Sequence, residues 1–321
     1  MDKCIQRLHV GTASGPDDLS SEHLKYAHPL LVVQLCSLFR TMVIHGFVAD
    51  KFGNGIIIPL LKDKTGNVNS LDNYRAITLI PVISKLFELV VLELCSEQLS
   101  TDELQFGFKP NVGCANAIFT FRTTVDYFRD RGSTVYAASL DISKAFDTVN
   151  HHKMFDALLK TGFPVCLLSL LMNWYSKLTV AVRWKGYLSY QFCVTSGVRQ
   201  GGSLSPFIFN VYMNAFIVKL RHTGYGCNVC GQFVGCIIYA DDIIVLSASV
   251  HGLQNMLDCC FEVSCDLCLT FNCAKSSCFG YKLRISDMNL GPNSIEWCDS
   301  LKYLGITFQA GLKLKINIDV I

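Results

Sequence analysis

The sequence predicts an α+β fold with antiparallel hairpins and helices on one face. Three observations lead there: short β-prone runs joined by tight turns, amphipathic segments of helical period between them, and enough apolar residues for a large core. Of the 321 residues, 50% are hydrophobic and 17% are charged, which excludes a disordered chain.

In order along the chain, Gly15-Pro16-Asp17-Asp18 is a turn signal before a helix expected over Ser21 to Ile44. Lys51 to Leu61 reads as a strand, Lys62 to Asn73 as a polar loop, and Ser84 to Leu99 as a helix. In that helix Leu86, Val90 and Leu94 share one side, with Lys85, Glu88 and Glu97 elsewhere. Thr134 to Leu140 is a short strand ending at Asp141, and His151 to Lys160 a helix closed by Gly162 and Pro164. Leu178 to Trp184 and Tyr190 to Ser196 form a hairpin across Lys185-Gly186. Ser205-Pro206 starts a helix, since serine caps and proline fits the first turn. Phe233 to Tyr239 and Ile243 to Leu246 flank Ala240-Asp241-Asp242. Gly252 to Leu267 is helical, and Tyr303 to Phe308 a closing strand.

Composition narrows function less. The net charge is +2, so a nucleic-acid partner requires a local basic groove or basic segments elsewhere in a longer parent protein. No window approaches the roughly 18 to 20 apolar residues of a membrane span, and Met1 is followed by charged and polar residues, with no signal-peptide core. Sixteen cysteines in so long a chain, among them Cys36, Cys95, Cys166 and Cys260 within apolar patterns, read as reduced, buried intracellular thiols. Cys227-Asn-Val-Cys230 with Cys236 lacks a second ligand pair at zinc-finger spacing, and reads as a hairpin with incidental cysteines.

The carboxylates carry the chemistry. Asp141 ends an apolar strand, and Asp241-Asp242 sit between two others, where a charge is costly unless it meets donors or a cation. An adjacent acidic pair repels itself, and a divalent metal relieves that repulsion. The alternative for Asp241-Asp242 alone is a solvated turn, because Asp is common in turns.

Read together, the segments resemble the ordered blocks of a reverse transcriptase. Phe52-Gly53-Asn54-Gly55-Ile56-Ile57-Ile58-Pro59-Leu60-Leu61-Lys62 and Asn73-Tyr74-Arg75-Ala76-Ile77 resemble the fingers block, with Ala76 where the family often has proline. Gln105-Phe106-Gly107-Phe108-Lys109 resembles the next block. Asp141-Ile142-Ser143-Lys144-Ala145-Phe146-Asp147 resembles motif A, Ser196 to Pro206 motif B, and Tyr239-Ala240-Asp241-Asp242 motif C. Leu269 to Ser276 resembles motif D, and Leu301-Lys302-Tyr303-Leu304-Gly305 motif E. The match spans roughly 14 to 308, and its wording resembles the non-LTR (LINE-type) retrotransposon enzymes.

The resemblance implies a polymerase right-hand fold, a palm with an antiparallel sheet plus fingers, with the thumb largely absent. It implies an N-terminal extension and helical part of the fingers over 1–50, fingers and palm over 51–310, and a truncated thumb start or tail over 311–321. It implies an RNA-directed DNA polymerase that joins a dNTP to a primer 3′-hydroxyl with two Mg²⁺ ions (Mn²⁺ being the alternative) on an RNA template and DNA primer. Asp141 and Asp241 then become the main metal ligands, Asp242 a supporting one, and the Ile142 carbonyl a further one. Phe146 becomes the steric gate against a ribose 2′-hydroxyl. Gln200 and Gly201 lie against nucleotide and template, Lys62 and Arg75 grip the triphosphate, Lys275 protonates pyrophosphate, and Lys109 touches template phosphate. A retroelement life cycle places such a protein in nucleus and cytoplasm. The second reading is a truncated, inactive polymerase-fold remnant, since no endonuclease domain, Cys/His module or thumb is visible.

Overall fold

The computed structural model describes residues 1–280 and 287–309, together with the backbone of 315–317. The chain forms two compact units, one of Met1–Ser100 with Val149–Ile208, the other of Thr101–Thr148 with Phe209–Ile321. Helix α1 (Leu30–His45), strands β1 (Asn54–Leu61) and β2 (Tyr74–Leu79) and helix α2 (Val82–Leu94) come first. Helix α3 (Cys114–Arg129) and strand β3 (Tyr136–Leu140) follow in the second unit. The chain then builds helices α4 (His151–Lys160) and α5 (Val165–Ser176) and strands β4 (Thr179–Trp184), β5 (Tyr187–Leu188) and β6 (Phe192–Cys193) in the first. Helix α6 (Ser205–His222) contains the boundary between units. After it come strands β7 (Cys236–Tyr239) and β8 (Asp242–Ser247), helix α7 (Val250–Asp266), and strands β9 (Ser277–Phe279), β10 (Trp297–Cys298), β11 (Ser300–Tyr303) and β12 (Ile306–Gln309).

Several sequence expectations shift by identifiable causes. The single helix over 21–44 is two, Ser21–Lys25 and α1, because Pro29 lacks an amide donor and biases His28 away from helix. Helices α3 and α5 were not anticipated. Ala117, Phe121 and Thr124 nevertheless bury one face of α3, and the Gly113 amide donates to Asn116 Oδ1 at 3.0 Å at its start. The closing strand is a hairpin: Leu304 and Gly305 have φ of 48° and 81°, the two left-handed positions of a tight type I′ turn between β11 and β12. Of the expected tail over 311–321, only Lys315–Asn317 lies within the described residues, as a strand paired with β12. The thiol expectation holds in part. Cys95 and Cys260 are buried, but Cys36 and Cys166 are exposed; all sixteen are free. Among the described residues no helix is long and apolar enough to cross a membrane.

In the first unit the sheet runs β2-β1-β4-β5, with β1 antiparallel to β2 and parallel to β4. Its core centres on Phe39, Phe52, Phe87 and Trp174, whose rings pack edge-on or tilted with neighbouring centroids 4.8 to 5.9 Å apart. The strand returning from Lys185-Gly186 is broken. Arg183 pairs with Leu188 and Trp184 with Tyr187, but Val180 pairs with Phe192, so the register slips by one residue between them. With Ser189 bonded to Val182, Tyr190 and Gln191 together lie opposite Ala181. The Ser189 hydroxyl fills the gap by accepting from the Val182 amide at 2.9 Å, which makes a β-bulge.

The second unit is built on the sheet β10-β9-β3-β8-β7. Ile243, Ile244, Val245 and Leu246 of β8 are all fully buried, so protein covers both faces of the central strand. Ile244 and Leu246 join Ala117, Phe121, Ala137 and Phe308 in one cluster. Helix α7 packs along β8.

Candidate active site

The acidic residues are positioned by strand register. β8 runs antiparallel to β3 with Ile243 opposite Leu140 and Ile244 opposite Ser139; Asp242 and Asp141 are the next residues beyond the last pair of this ladder, near enough for the Asp141 charge to act on Asp242. Asp242 also pairs with Tyr239 across the β7–β8 turn, leaving Ala240 and Asp241 as its two central residues. Carboxylates from two segments distant in sequence, Asp141 and the adjacent pair Asp241-Asp242, thus come to one end of the sheet.

Their electrostatics are those of a crowded acidic site. Asp242 is open to water on one side and packed by protein on the other. That partial desolvation, followed by the negative charges of Asp241 and Asp141, pushes its carboxyl up to about 6. Such a cluster of oxygen donors, destabilised by its own charge, fits a hard divalent cation. Among the described residues no three His, Cys, Asp or Glu side chains already form a metal-holding group.

Motif D fixes the backbone of motif A. The Asn272 amide donates to the Asp141 carbonyl at 2.8 Å, the Asp141 amide to Ser276 Oγ at 3.1 Å, and the Ser143 amide to the Thr270 carbonyl at 2.9 Å. Ile142 and Phe271 form the facing pair between these bonds, so the Ile142 carbonyl is directed to the opposite side of its strand. Lys275 lies in the same segment, exposed, its amide donating to the Asn272 carbonyl at 3.1 Å.

The turn itself is strained and held. Ala240 has φ 58°, a left-handed conformation that costs a side-chain-bearing residue roughly 1–2 kcal/mol. Gln105, fully buried, stabilises it: its Oε1 accepts from the Ala240 amide at 3.1 Å and the Gly107 amide at 3.0 Å. Gly107 permits this approach, because a Cβ there would lie 2.5 Å from the Ala240 nitrogen. Asn210 Nδ2 donates to the Gly107 carbonyl at 2.6 Å. In the sequence Gln105 stands only as part of the Gln105-Phe106-Gly107-Phe108-Lys109 block, with no role of its own. Gln105→Leu leaves two buried amides without an acceptor, at about 1–3 kcal/mol each. We expect it to lower the unfolding midpoint and any polymerase rate. Adding Ala240→Gly, which removes the strain, is expected to restore part of both in thermal melts and primer-extension assays.

Phe146 stacks on Phe209 with centroids 4.3 Å apart and an interplanar angle of 17°, and meets Phe108 edge-on at 6.1 Å. Both contacts fix the ring next to the motif A carboxylate segment. Lys109 is turned inward: its ammonium donates to the carbonyls of Thr101, at 3.0 Å, and Asp102, and burial lowers its pKa. Two of its three protons are thus engaged within the protein, away from the expected phosphate contact.

The remaining candidates belong to the first unit. Lys62 Nζ donates to the Asp72 carbonyl at 2.9 Å, and Arg75 is exposed on β2 opposite Leu60. The Gln200 carbonyl accepts from the Thr78 amide at 2.6 Å, and Gly201, at φ 130°, has no room for a Cβ, which would lie 2.5 Å from the Thr78 carbonyl oxygen. The motif B loop is therefore fastened to the strand carrying Arg75.

That loop has an anchor absent from the expected picture. Glu88, placed away from the apolar side of α2 by the sequence reading, is only 2% exposed, while Leu94 is 68% exposed. Glu88 Oε1 accepts from Arg199 Nη2 at 2.7 Å, and its Oε2 accepts from the amides of Ser203 and Leu204. Arg199 lies over the Trp174 ring, 4.6 Å from its centroid. The available signal was Ser84, Glu88 and Val91 at helical spacing, a charge inside a buried stripe.

Comparison with known proteins gives the family and the fold. A family profile described as "Reverse transcriptase (RNA-dependent DNA polymerase)" matches residues 61–308. The Pol polyprotein of the retrotransposable element R2DM of Drosophila melanogaster is 24% identical over 97% of this chain and 30% of its own length. The RNA-directed DNA polymerase from mobile element jockey of the same species is 25% identical over 98% of this chain and 35% of its own. The chain therefore spans about a third of the length of these relatives. Among solved structures, apo telomerase from Candida tropicalis, truncated from its C-terminal domain, superposes with a TM-score of 0.61 at 13% identity, covering 90% of this chain and 60% of that one. In sequence and in fold, this chain belongs to the reverse transcriptase family, with the non-LTR retrotransposon polymerases as its relatives.

Proposed function

We propose that the chain is the fingers-and-palm core of an RNA-directed DNA polymerase that extends a DNA primer on an RNA template with dNTPs. The observation that carries this reading is the β3–β8 register, which brings Asp141 to the turn that holds Asp241 and Asp242. Residues 51–310 supply fingers and palm, and 1–50 an extension with the helical part of the fingers.

In this reading Asp141, Asp241 and the Ile142 carbonyl hold two Mg²⁺ ions, with Asp242 in support. When bound, the ions stabilise the attacking and leaving oxygens of an in-line displacement at the α-phosphate. The protein supplies placement. Gln105 holds the Asp241 turn, Asn272 and Ser276 hold Asp141, and the Glu88–Arg199 pair holds the loop presenting Gln200 and Gly201. Lys62 and Arg75 neutralise triphosphate charge, and Lys275 delivers a proton to departing pyrophosphate.

The test is extension of a DNA primer on an RNA template with dNTPs and Mg²⁺, halted by a chelator. Absence of extension at any enzyme level would leave the inactive remnant instead. Phe146, fixed between Phe209 and Phe108, acts as the sugar gate. Phe146→Ala is expected to reduce discrimination against ribonucleotides on the order of tenfold to a hundredfold. Unchanged sugar selectivity in competition assays would remove that role.

A further inference from the structure

Beyond the acidic site, the most exposed aromatic surface of the described residues lies on the β4–β5 hairpin and its bulge. Tyr190 is 98% exposed, Tyr187 82% and Trp184 45%. Their placement follows from the backbone. Trp184 and Tyr187 are directly paired across the hairpin, so their side chains share a face, and Tyr74 meets Trp184 edge-on from the same sheet with centroids 5.4 Å apart. Tyr190 lies in the unpaired stretch of the bulge, its ring open to solvent. A folded chain gains by covering such rings, and a bulge re-aims a side chain at the cost of a ladder position.

The charge around these rings is predominantly positive. Arg183 and Lys185 belong to the hairpin itself, and Lys62, Lys64 and Arg75 come from the neighbouring β1–β2 hairpin, against Asp63 and Asp72. Exposed ring faces interleaved with cations are how proteins take up unpaired nucleotides: bases stack on the rings, and the phosphates lie against the cations. An aliphatic protein partner has no use for that charge, whereas a polyphosphate chain without bases has none for the rings.

Position adds a second argument. Gln200 and Gly201 are fastened to Thr78 on β2, the opposite edge of the same sheet. At about 4.8 Å per strand, β2 and β5 are roughly 15 Å apart, the length of about four stacked nucleotides.

We propose that Tyr74, Trp184, Tyr187 and Tyr190, with Arg183 and Lys185, form a stacking platform for the single-stranded RNA template ahead of the nucleotide being copied. This rests on the polymerase reading, because it is the Gln200–Gly201 loop that defines where the copied base lies. A strand that leaves the copying position and crosses this sheet reaches the rings only once it is several nucleotides long. The platform therefore distinguishes long unpaired templates from short ones.

The test uses the full chain and fluorescence anisotropy with labelled DNA primers on RNA templates carrying either one or about eight unpaired 5′ nucleotides. The wild-type chain is expected to bind the long-overhang duplex tenfold or more tightly than the short one. Tyr187→Ala/Tyr190→Ala removes that preference, while Tyr187→Phe/Tyr190→Phe, which keeps the rings, retains it. Persistence of the preference in the alanine variant overturns the platform, as does its loss in the phenylalanine variant. Sedimentation is the third arm. A wild-type dimer that the alanine substitutions dissolve, with overhang preference intact, would make the patch a contact between copies and end the proposal. The polymerase reading fails separately: binding that keeps its overhang preference without any primer extension leaves the platform standing and removes the activity.

Discussion

Asp141→Ala and Asp241→Ala are expected to reduce primer extension by at least about a thousandfold, equivalent to roughly 4 kcal/mol of lost transition-state stabilisation. Each removes an oxygen donor from a site where the strand register leaves no substitute. Ser139 and Leu140 of β3 precede Asp141, and Ile243 and Ile244 of β8 follow Asp242, so apart from Asp242 itself the neighbouring side chains offer no carboxylate. Synthesis that persists in both variants would show that the metal ligands lie elsewhere.

The same charges should make the metal-free fold less stable. The Asp242 carboxyl is raised to about 6 from an ordinary 3.8, so the folded state holds its proton over a range where the unfolded state has released it. Stability from this group therefore falls as pH rises from about 4 to 6, and stays lower above that. Asp242→Asn removes the repulsion. In melts at pH 7 without divalent ions it is expected to raise stability by roughly 1 kcal/mol, after allowance for solvent screening of an exposed group. It should also flatten the decline between pH 4 and 6. A lower melting temperature for this variant at pH 7 would mean that the three carboxylates do not repel one another.

Glu88→Ala is expected to cost about 3–5 kcal/mol, since it leaves the Arg199 guanidinium buried and uncompensated. The amides of Ser203 and Leu204 lose their acceptor as well. For a chain of this size the unfolding midpoint should fall by roughly 10 °C. The double replacement Glu88→Met/Arg199→Met, which removes both charges, should recover most of that loss. Loss of the pair also frees the loop carrying Gln200 and Gly201, so KM for dNTP should rise in the surviving fraction. A cost below 1 kcal/mol in denaturant unfolding would show that the pair is not the anchor of this loop.

Much of the fold is local and could be read from the sequence. His151–Lys160 appears with the expected bounds, Lys185-Gly186 is the turn, and Ser205-Pro206 opens α6, because capping chemistry and turn conformations act within a few residues. The break at Pro29 and the Leu304-Gly305 turn are equally local, but apolar periodicity continues across both and masks them. Helix α3 is hidden for the opposite reason: its Thr- and Asn-containing surface obscures the narrow stripe of Ala117, Phe121 and Thr124 that it buries.

The sequence by itself determined the α+β class, the acidic residues and the turn that displays two of them, since these depend on residue type and short spacing. Only the tertiary structure decided that Asp141 lies near Asp242, that Gln105 holds the Ala240 turn, and that Glu88 is buried against Arg199. Each of these joins positions separated by about a hundred residues, where register and desolvation, which no local pattern encodes, choose the partner.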